Sequence, residues 1–264
     1  MDAPPFERLG LVGLGLIGGS VALAARRRWP SVRITACDPA PVATEAVSQG
    51  LLEAIVESPA GLSECDLIVI ATPVQVVTRI FEQLSNARVP ALVTDTSSTK
   101  RAVMAAAQSN NGIMFVGGHP VTGSEGSGLA AARADLFDGR PWLLVSAAAA
   151  RPGESRGVKE SMLASFVVGL GARPEWTDAV THDRVMAHVS HAPQVVSSAL
   201  LAASGAAGVG DSESWRGILE TNADFIADAL VAIAAKLPTS SSALTDAPAV
   251  RDIFERAKAL KSHQ

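Results

Sequence analysis

Short apolar runs alternate with longer amphipathic stretches over the first two-thirds of the chain. Strands are predicted for the apolar runs at residues 9–14, 32–37, 67–71, 91–95, 114–117 and 143–145. Helices are predicted for the stretches at residues 20–28, 42–49, 74–84 and 101–109. Because alternating strands and helices are typical of a parallel sheet covered on both faces, we predict an α/β fold with a doubly wound, mostly parallel sheet.

The pattern changes near residue 178, after which only helical stretches follow. A helix at 157–170 and a strand at 173–177 complete the predicted first domain, residues 1–177. A smaller all-helical domain, residues 178–264, is predicted to serve substrate binding and dimerisation. Its helices are predicted at residues 181–203, 214–237 and 250–261, with a Ser- and Thr-rich link at 238–248. Since apolar helical faces on so small a domain are often covered by a second subunit, we expect a homodimer.

Composition narrows the class of protein. The chain has 264 residues, of which 48% are hydrophobic and 18% charged, as is typical of a compact globular enzyme. A net charge of -4 without a long basic run argues against nucleic acid or an anionic membrane as a partner. No apolar stretch is long enough to span a bilayer, and the first residues lack a signal peptide's features. We therefore expect a cytoplasmic protein.

Cysteine and tyrosine usage excludes two kinds of chemistry. Cys37 and Cys65 form no CxxC motif, and no cluster of Cys and His has metal-ligand spacing. We therefore expect reduced thiols and no metal site. Tyrosine is absent, which excludes the Tyr–Lys chemistry of short-chain dehydrogenases.

A glycine motif marks the end of the first predicted strand. The motif is Gly13-x-Gly15-x-x-Gly18, and Asp38 ends the next strand twenty residues further on. Gly13 permits the tight turn, Gly15 leaves room for a pyrophosphate, and Gly18 lets the helix pack close to the sheet. The carboxylate of Asp38 would bind both ribose hydroxyls and repel a 2′-phosphate, which predicts NAD rather than NADP in a Rossmann-like domain. A glycine-rich turn in an unrelated sheet and a methyltransferase loop are the alternatives. The predicted cofactor-binding residues of this segment are Gly13, Gly15, Leu16, Ile17, Gly18 and Asp38.

Candidate functional residues follow several of the predicted strands, so they should meet at one edge of the sheet. His119 lies between glycines and a proline, and we predict that a rigid turn holds it at the mouth of a strand near the nicotinamide. A neutral imidazole there would accept a proton from a substrate hydroxyl while hydride leaves the same carbon. A histidine that only caps a loop is the alternative. The segments that should converge are Gly13, Asp38, Thr72-Pro73, Ser97-Ser98 and His119.

Six longer motifs give the chain a resemblance to the prephenate and arogenate dehydrogenases over about residues 8–203. They are GLGLIGGS at 13–20, DTSSTK at 95–100, GHPVTGSE at 118–125, DLFDGRPW at 135–142, HDR at 182–184 and VSHAP at 189–193. The resemblance implies an NAD-dependent oxidative decarboxylation. Hydride leaves C4 of prephenate, the 4-hydroxyl proton goes to a base, and the ring carboxylate leaves as CO2. The product would be 4-hydroxyphenylpyruvate, or tyrosine from arogenate.

The resemblance also implies roles for individual residues. His119 resembles the family's catalytic base, and Ser98 resembles the serine that touches the 4-hydroxyl and the nicotinamide, with Ser97 beside it. Thr72 and Pro73 resemble the loop under the adenosine. Further substrate-binding residues implied by the resemblance are Glu125 at the pocket mouth and Ser190 and His191 from the helical domain. We interpret Lys100 as a local cap or pair, and His182, His188 and His263 as structural or exposed.

Two departures from the family pattern leave the substrate open. Gln194 stands where many prephenate-using relatives have a second histidine. The family's Gly-Phe-Arg-Asp-x-Thr-Arg stretch, which supplies an arginine to a substrate carboxylate, is absent, so Arg216, Arg184 or a cation from a partner subunit would have to replace it. A dehydrogenase of a 4-amino analogue of prephenate and a catalytically weak NAD-binding regulatory protein are therefore alternatives. A β-hydroxyacid dehydrogenase is disfavoured, because residues 181–203 contain no lysine.

Overall fold

The structure is a computed structural model. The part of the chain that it describes is built around a single mixed sheet. The described residues are 3–38, 44, 46–47, 50–110, 112–123, 126–146, 157–203 and 212–235. Most of the helix predicted at 42–49, the link at 238–248 and the helix at 250–261 lie outside these residues.

Eight strands of the described residues lie in the order β3-β2-β1-β4-β5-β6-β7-β8. The strands are β1 (Arg8–Val12), β2 (Arg33–Cys37), β3 (Ala54–Ile55), β4 (Leu67–Ile70), β5 (Leu92–Asp95), β6 (Met114–Pro120), β7 (Pro141–Ser146) and β8 (Arg173–Thr177). Neighbouring strands are parallel from β3 to β6, β7 is antiparallel to β6, and β8 is parallel to β7. The predicted Rossmann-like, mostly parallel sheet is confirmed.

Helices cover the sheet and then continue beyond its last strand. They are α1 (Leu16–Arg28), α2 (Val74–Asn86), α3 (Arg101–Ser109), α4 (Val158–Gly169), α5 (Ala179–Met186), α6 (Ala192–Ala203), α7 (Ser212–Thr221) and α8 (Ala223–Ala234). A single π-helical turn, Ala187–His191, joins α5 to α6. None of the described helices combines the length and the apolar character needed to cross a bilayer.

Both faces of the sheet are buried, because successive side chains of a strand point to opposite sides. On β4, Leu67 and Val69 belong to the core that includes Trp29 of the α1 C-terminus, whereas Ile68 and Ile70 belong to the core that includes Phe81 of α2. This alternation explains why the central strands read as continuous apolar runs.

Besides shifts at the ends of several elements, three predictions about the elements differ from the structure. The helix predicted at 181–203 is divided by the π-helical turn, and Pro193 lies directly after that turn. Proline lacks an N–H and its ring crowds the preceding turn, which a widened turn accommodates. The helix predicted at 214–237 is two helices that meet at Asn222. Strand β6 continues to Pro120, so the prediction that His119 lies in a turn is wrong, since its backbone pairs with Leu143 of β7.

Candidate functional site

The glycine motif forms a close turn between β1 and α1. Gly13 has a φ of +97°, and a Cβ there would lie 2.6 Å from the carbonyl oxygen of Ala71. A Cβ on Gly18 would overlap the carbonyl oxygen of Gly13, whereas a Cβ on Gly15 would meet no atom within 4 Å. Gly13 and Gly18 are therefore required by the turn itself, and Gly15 leaves open space at the helix N-terminus.

Asp38 follows β2 directly opposite this turn. Its Oδ2 atom accepts a hydrogen bond from the Leu14 amide at 2.6 Å. Burial raises the pKa of the Asp38 carboxyl, and the Leu14 amide opposes that effect. Asp38 and Gly13 line a cavity of about 670 Å³, which also receives Thr72 of the loop after β4 and Arg79 of α2. We call it the first cavity.

A second cavity of about 320 Å³ lies along the same edge of the sheet and shares Thr72 with the first. Its lining includes Gly15, Leu16, Ile17, Thr72, Pro73, Ser97, Ser98 and Ile218. The predicted cofactor residues therefore line one of the two cavities, except Gly18, which lies behind the turn. The edge predicted from strand order is the edge at which the segments of Gly13, Asp38, Thr72-Pro73 and Ser97-Ser98 meet, whereas His119 lines neither of these two cavities.

The polar groups at these cavities fit a dinucleotide. No side chain caps the N-terminus of α1, and its first turn carries no acidic residue. Its amide groups and the positive end of the helix dipole can therefore receive a phosphate. The hydroxyl oxygens of Ser97 and Thr72 are buried without a hydrogen-bond partner among the described residues. Such groups are costly unless a ligand or water pairs with them.

A buried ion pair fixes the loop between β5 and α3. The Asp95 carboxylate contacts the Lys100 ammonium group, and both side chains are fully buried. The same carboxylate accepts hydrogen bonds from the Gly118 amide at 2.9 Å and the Ser97 amide at 3.0 Å. Burial lowers the pKa of Lys100, and Asp95 opposes this. Lys100 thus pairs locally, as the sequence suggests, and the pair ties the serine loop to the strand that carries His119.

His119 is buried on β6, with 8% of its surface exposed. Its Nδ1 atom lies 2.9 Å from Nε2 of His182, whose Nδ1 lies 2.8 Å from Oδ1 of Asp183. Burial lowers the pKa of His119 well below its usual value, and His182 and Lys100 act in the same direction. His119 is therefore a neutral imidazole near pH 7.

His182 and Asp183 belong to the site, although the sequence led us to expect that His182 is only structural or exposed. His182 is 1% exposed and Asp183 is fully buried. The only sequence signal for them is the HDR motif at 182–184, which follows the last strand. A contact between residues that are 63 positions apart has no local signature.

His191 lies in the π-helical turn and is 1% exposed. The amide group of Asn222 donates to Nδ1 of His191 at 3.1 Å and to the backbone oxygen of Asp183 at 2.9 Å. Burial lowers the pKa of His191 to about 4. With Nδ1 as the acceptor, neutral His191 carries its proton on Nε2 and is a donor there.

The other predicted substrate-binding residues are not joined to His119 by contacts within the described part of the chain. Ser190 is exposed, and half-buried Gln194 donates to the Ser198 hydroxyl at 3.3 Å. The side chain of Arg216 is 58% exposed and lies 3.9 Å from Glu220. Glu125 lies outside the described residues.

The nearest arginine to this cluster is already engaged. The Arg101 guanidinium binds the carboxylates of Asp183 and Asp224 and packs on the ring of Phe225. Arg184 also lies over the Phe225 ring, at 5.2 Å from its centroid. Neither takes the position of an unengaged cation beside His119.

Together with the strand order, the glycine turn and Asp38 define the class of this protein, a dinucleotide-binding fold of the Rossmann type. A family model described as prephenate dehydrogenase, nucleotide-binding domain, matches residues 21–166, and the chain belongs to this family. The resemblance inferred from the motifs is confirmed.

Individual relatives agree with this assignment. The chain is 32% identical over 200 residues to the prephenate dehydrogenase of Lactococcus lactis subsp. cremoris, an alignment that covers 74% of this chain and 53% of the relative. The chain spans about half the length of three of the curated relatives that it matches.

Solved structures share the fold. The prephenate dehydrogenase of Aquifex aeolicus, crystallised with hydroxyphenyl propionate and NAD+, superposes with a TM-score of 0.83 at 23% identity, covering 100% of this chain and 98% of that one. The arogenate dehydrogenase of Synechocystis superposes with a TM-score of 0.77 at 24% identity, covering 97% and 99%.

Proposed function

We propose that this protein is an NAD-dependent dehydrogenase that oxidatively decarboxylates prephenate to 4-hydroxyphenylpyruvate, or arogenate to tyrosine. The observation that carries the proposal is the buried, neutral His119, tied through Asp95 to the serine loop that lines the second cavity. Family membership and the ligands of the Aquifex aeolicus relative support the same reaction.

The two cavities divide the cofactor between them. Asp38, Gly13 and Thr72 would hold the adenosine in the first cavity, with Oδ1 of Asp38 available to the ribose because Oδ2 already binds Leu14. Residues of the second cavity, Gly15, Leu16, Ile17, Pro73 and Ser97, would hold the pyrophosphate and the nicotinamide end. A carboxylate at the ribose favours NAD over NADP.

The reaction needs few protein groups. Bound NAD would supply the hydride acceptor for the ring carbon that bears the hydroxyl. His119 accepts the hydroxyl proton, so that its O–H bond breaks as the carbonyl-like C–O bond forms. Ser98 orients the hydroxyl from the edge of the second cavity. The ring carboxylate then departs as CO2, and its C–C electron pair completes the aromatic ring.

Substrate recognition falls to the helical part of the chain. The Nε2 proton of His191 is a donor for a substrate carboxylate, and Ser190, Gln194 and Arg216 are further donors on the same helices. Glu125 would stand at the mouth of the pocket. We retain the division at residues 177 and 178, because the last strand ends at Thr177.

A second subunit would complete this helical part. Val185, Val189 and Val196 are 45%, 63% and 37% exposed on α5, the π-helical turn and α6. These exposed apolar side chains lie on three consecutive helical segments, and they favour the homodimer expected from the sequence. A cytoplasmic location agrees with the free thiols of Cys37 and Cys65.

The test is NADH formation with prephenate, arogenate and the 4-amino analogue in parallel. We expect turnover of prephenate or arogenate, and we expect His119→Asn to lower kcat by about 10²–10⁴-fold while NAD binding is retained. His188→Asn, which changes an exposed histidine of the helical part, is the control and should keep full activity. Near-normal turnover by His119→Asn would refute the assigned base. Turnover of the amino analogue alone, or of none of the three, would favour the alternatives.

A further inference from the structure

We propose that Asp183 and His182 are positioning residues that fix the tautomer of His119, leaving a lone pair on Nε2 to receive the substrate proton. The structural part of this inference stands on hydrogen-bond geometry, supported by the charge states that burial and neighbouring groups favour. Its consequence for turnover rests on the proposed function.

Asp183 sets the direction of the hydrogen bonds. Its carboxylate accepts from the Lys100 amide at 2.7 Å, the Arg101 amide at 3.0 Å and the Arg101 Nε atom at 3.2 Å. All three groups can only donate. Burial raises the pKa of the Asp183 carboxyl, but hydrogen bonds from His182, Arg101 and Lys100 outweigh burial and hold it below the usual value. Asp183 is therefore an ionised acceptor, and Nδ1 of His182 must donate to it.

His182 in turn determines which ring donates in its hydrogen bond with His119. Burial lowers the pKa of His182, and the charge of Lys100 lowers it further. Asp183 and Asp95 raise this pKa but do not outweigh burial, so the ring is neutral near pH 7. A neutral imidazole with its proton on Nδ1 has an acceptor at Nε2. The contact of 2.9 Å to Nδ1 of His119 is then a hydrogen bond that His119 donates.

His119 consequently carries its proton on Nδ1 and its lone pair on Nε2. When the substrate O–H bond breaks, the new N–H bond forms at Nε2, and the Nδ1 proton stays in place between the two rings. The imidazolium formed in this step faces the lone pair of His182, behind which lies the negative charge of Asp183. Asp183 takes up no proton. The arrangement thus stabilises the charge that His119 acquires, as well as holding its ring.

The arrangement also links two parts of the chain. His119 lies on β6, whereas His182 and Asp183 lie on α5, and Asp183 binds the backbone at the start of α3. His119 is therefore correctly polarised only while α5 is docked on α3.

The direct test is the tautomer itself. The chain has five histidines, so ¹⁵N-histidine labelling gives few signals, and His119→Asn identifies those of His119 by their loss. In the protein with NAD and no substrate, near pH 7.5, we expect His119 to be protonated at Nδ1 and unprotonated at Nε2. The opposite tautomer overturns the proposal, whether or not the protein is a dehydrogenase.

Two variants at residue 182 separate hydrogen bonding from packing. His182→Phe retains a ring without an acceptor, and His182→Gln retains an acceptor oxygen. We expect His182→Phe to mix the tautomers of His119 and lower kcat by about 10–100-fold with unchanged NAD affinity, and we expect His182→Gln to restore most of the loss. His188→Phe, on the exposed side, is the matched control and should change neither quantity.

The outcomes are distinguishable. If His182→Phe and His182→Gln lower kcat equally and the His119 tautomer is unchanged in both, residue 182 contributes only packing. This result would overturn the proposal. If His182→Phe does not fold, the tautomer of His119 in the parent and in His182→Gln still decides whether the proposal holds. The expected tautomer in a protein that turns over none of the substrates would refute the proposed function but support the hydrogen-bond arrangement.

Discussion

At the scale of single residues, Asp38 and Arg79 place opposite charges in the same cavity. Asp38 accepts a hydrogen bond from the Leu14 amide with one oxygen, and Arg79 of α2 lines the same cavity. A 2′-phosphate there would be repelled by the carboxylate and attracted by the guanidinium. Because Asp38 lies directly at the turn that receives the cofactor, we expect the carboxylate to dominate, and NAD to be preferred.

Asp38→Ser tests this balance. Removing the negative charge should shift the NADP/NAD affinity ratio toward NADP by about fivefold or more, since one charge pair near contact is worth about 1 kcal/mol even in water. The measurement is the dissociation constant of each dinucleotide. In the Asp38→Ser background, Arg79→Gln should remove most of the gain for NADP. An unchanged ratio in Asp38→Ser contradicts the role given to the carboxylate.

Residue-scale prediction from the sequence succeeded where the requirement is local. The glycine spacing follows from steric contacts within one turn, so the sequence alone could identify Gly13 and Gly18. The contact of His119 with His182 joins a strand to a helix, and nothing in the residues around His182 indicates which partner it meets. His182 was therefore assigned no role in the site from the sequence.

At the scale of elements, Asn222 joins four helices and the π-helical turn. It ends α7 and precedes α8, donates to Asp183 and His191, and accepts from Arg101 of α3 at 3.1 Å. The sequence predicted one continuous helix across this position, because the apolar spacing continues through it. The break serves tertiary hydrogen bonds that periodicity does not report.

Asn222→Ala should therefore destabilise the protein by about 1–3 kcal/mol, because it leaves the buried Nδ1 acceptor of His191 unpaired and removes one of the two donors to the Asp183 carbonyl. Urea unfolding measures the change. The matched control is Asp224→Ala, two residues further on, which removes an exposed partner of Arg101 and should change stability little. If the two variants lose similar stability, the buried amide is not the anchor of this junction.

Some boundaries of helices and strands could be predicted from the sequence, and others could not. Helix α3 and strand β8 match the predicted bounds, and in α3 an apolar pattern that includes buried Val103, Met104 and Ala107 ends at polar Ser109. Helix α1 begins at Leu16, four residues before the predicted start, and therefore includes Gly18 and Gly19. Glycine lowers intrinsic helix propensity, and the tertiary need for a close helix N-terminus overrides it.

At the scale of the whole molecule, three buried neutral histidines make folding sensitive to acid. The pKa values of His119, His182 and His191 are all lowered, with burial as the main cause. In the unfolded chain a histidine binds a proton below about pH 6.5. The folded protein does not bind it until a lower pH, so the unfolded state takes up more protons in between, and the free energy of unfolding falls as the pH falls.

For His191 the interval runs from 6.5 to about 4, which corresponds to about 2 kcal/mol lost between pH 7.5 and pH 5. The pKa values of Asp178, Asp183 and Asp224 are lowered from the usual 3.8, so these carboxyl groups titrate below this interval. Urea unfolding at the two pH values should therefore show a loss of at least that size in the parent chain. His191→Gln should lose about 2 kcal/mol less across the same interval, whatever its stability at pH 7.5, because glutamine does not titrate. A variant that loses as much as the parent would show that folding does not lower the pKa of His191, and would remove burial as the reason for treating its ring as neutral.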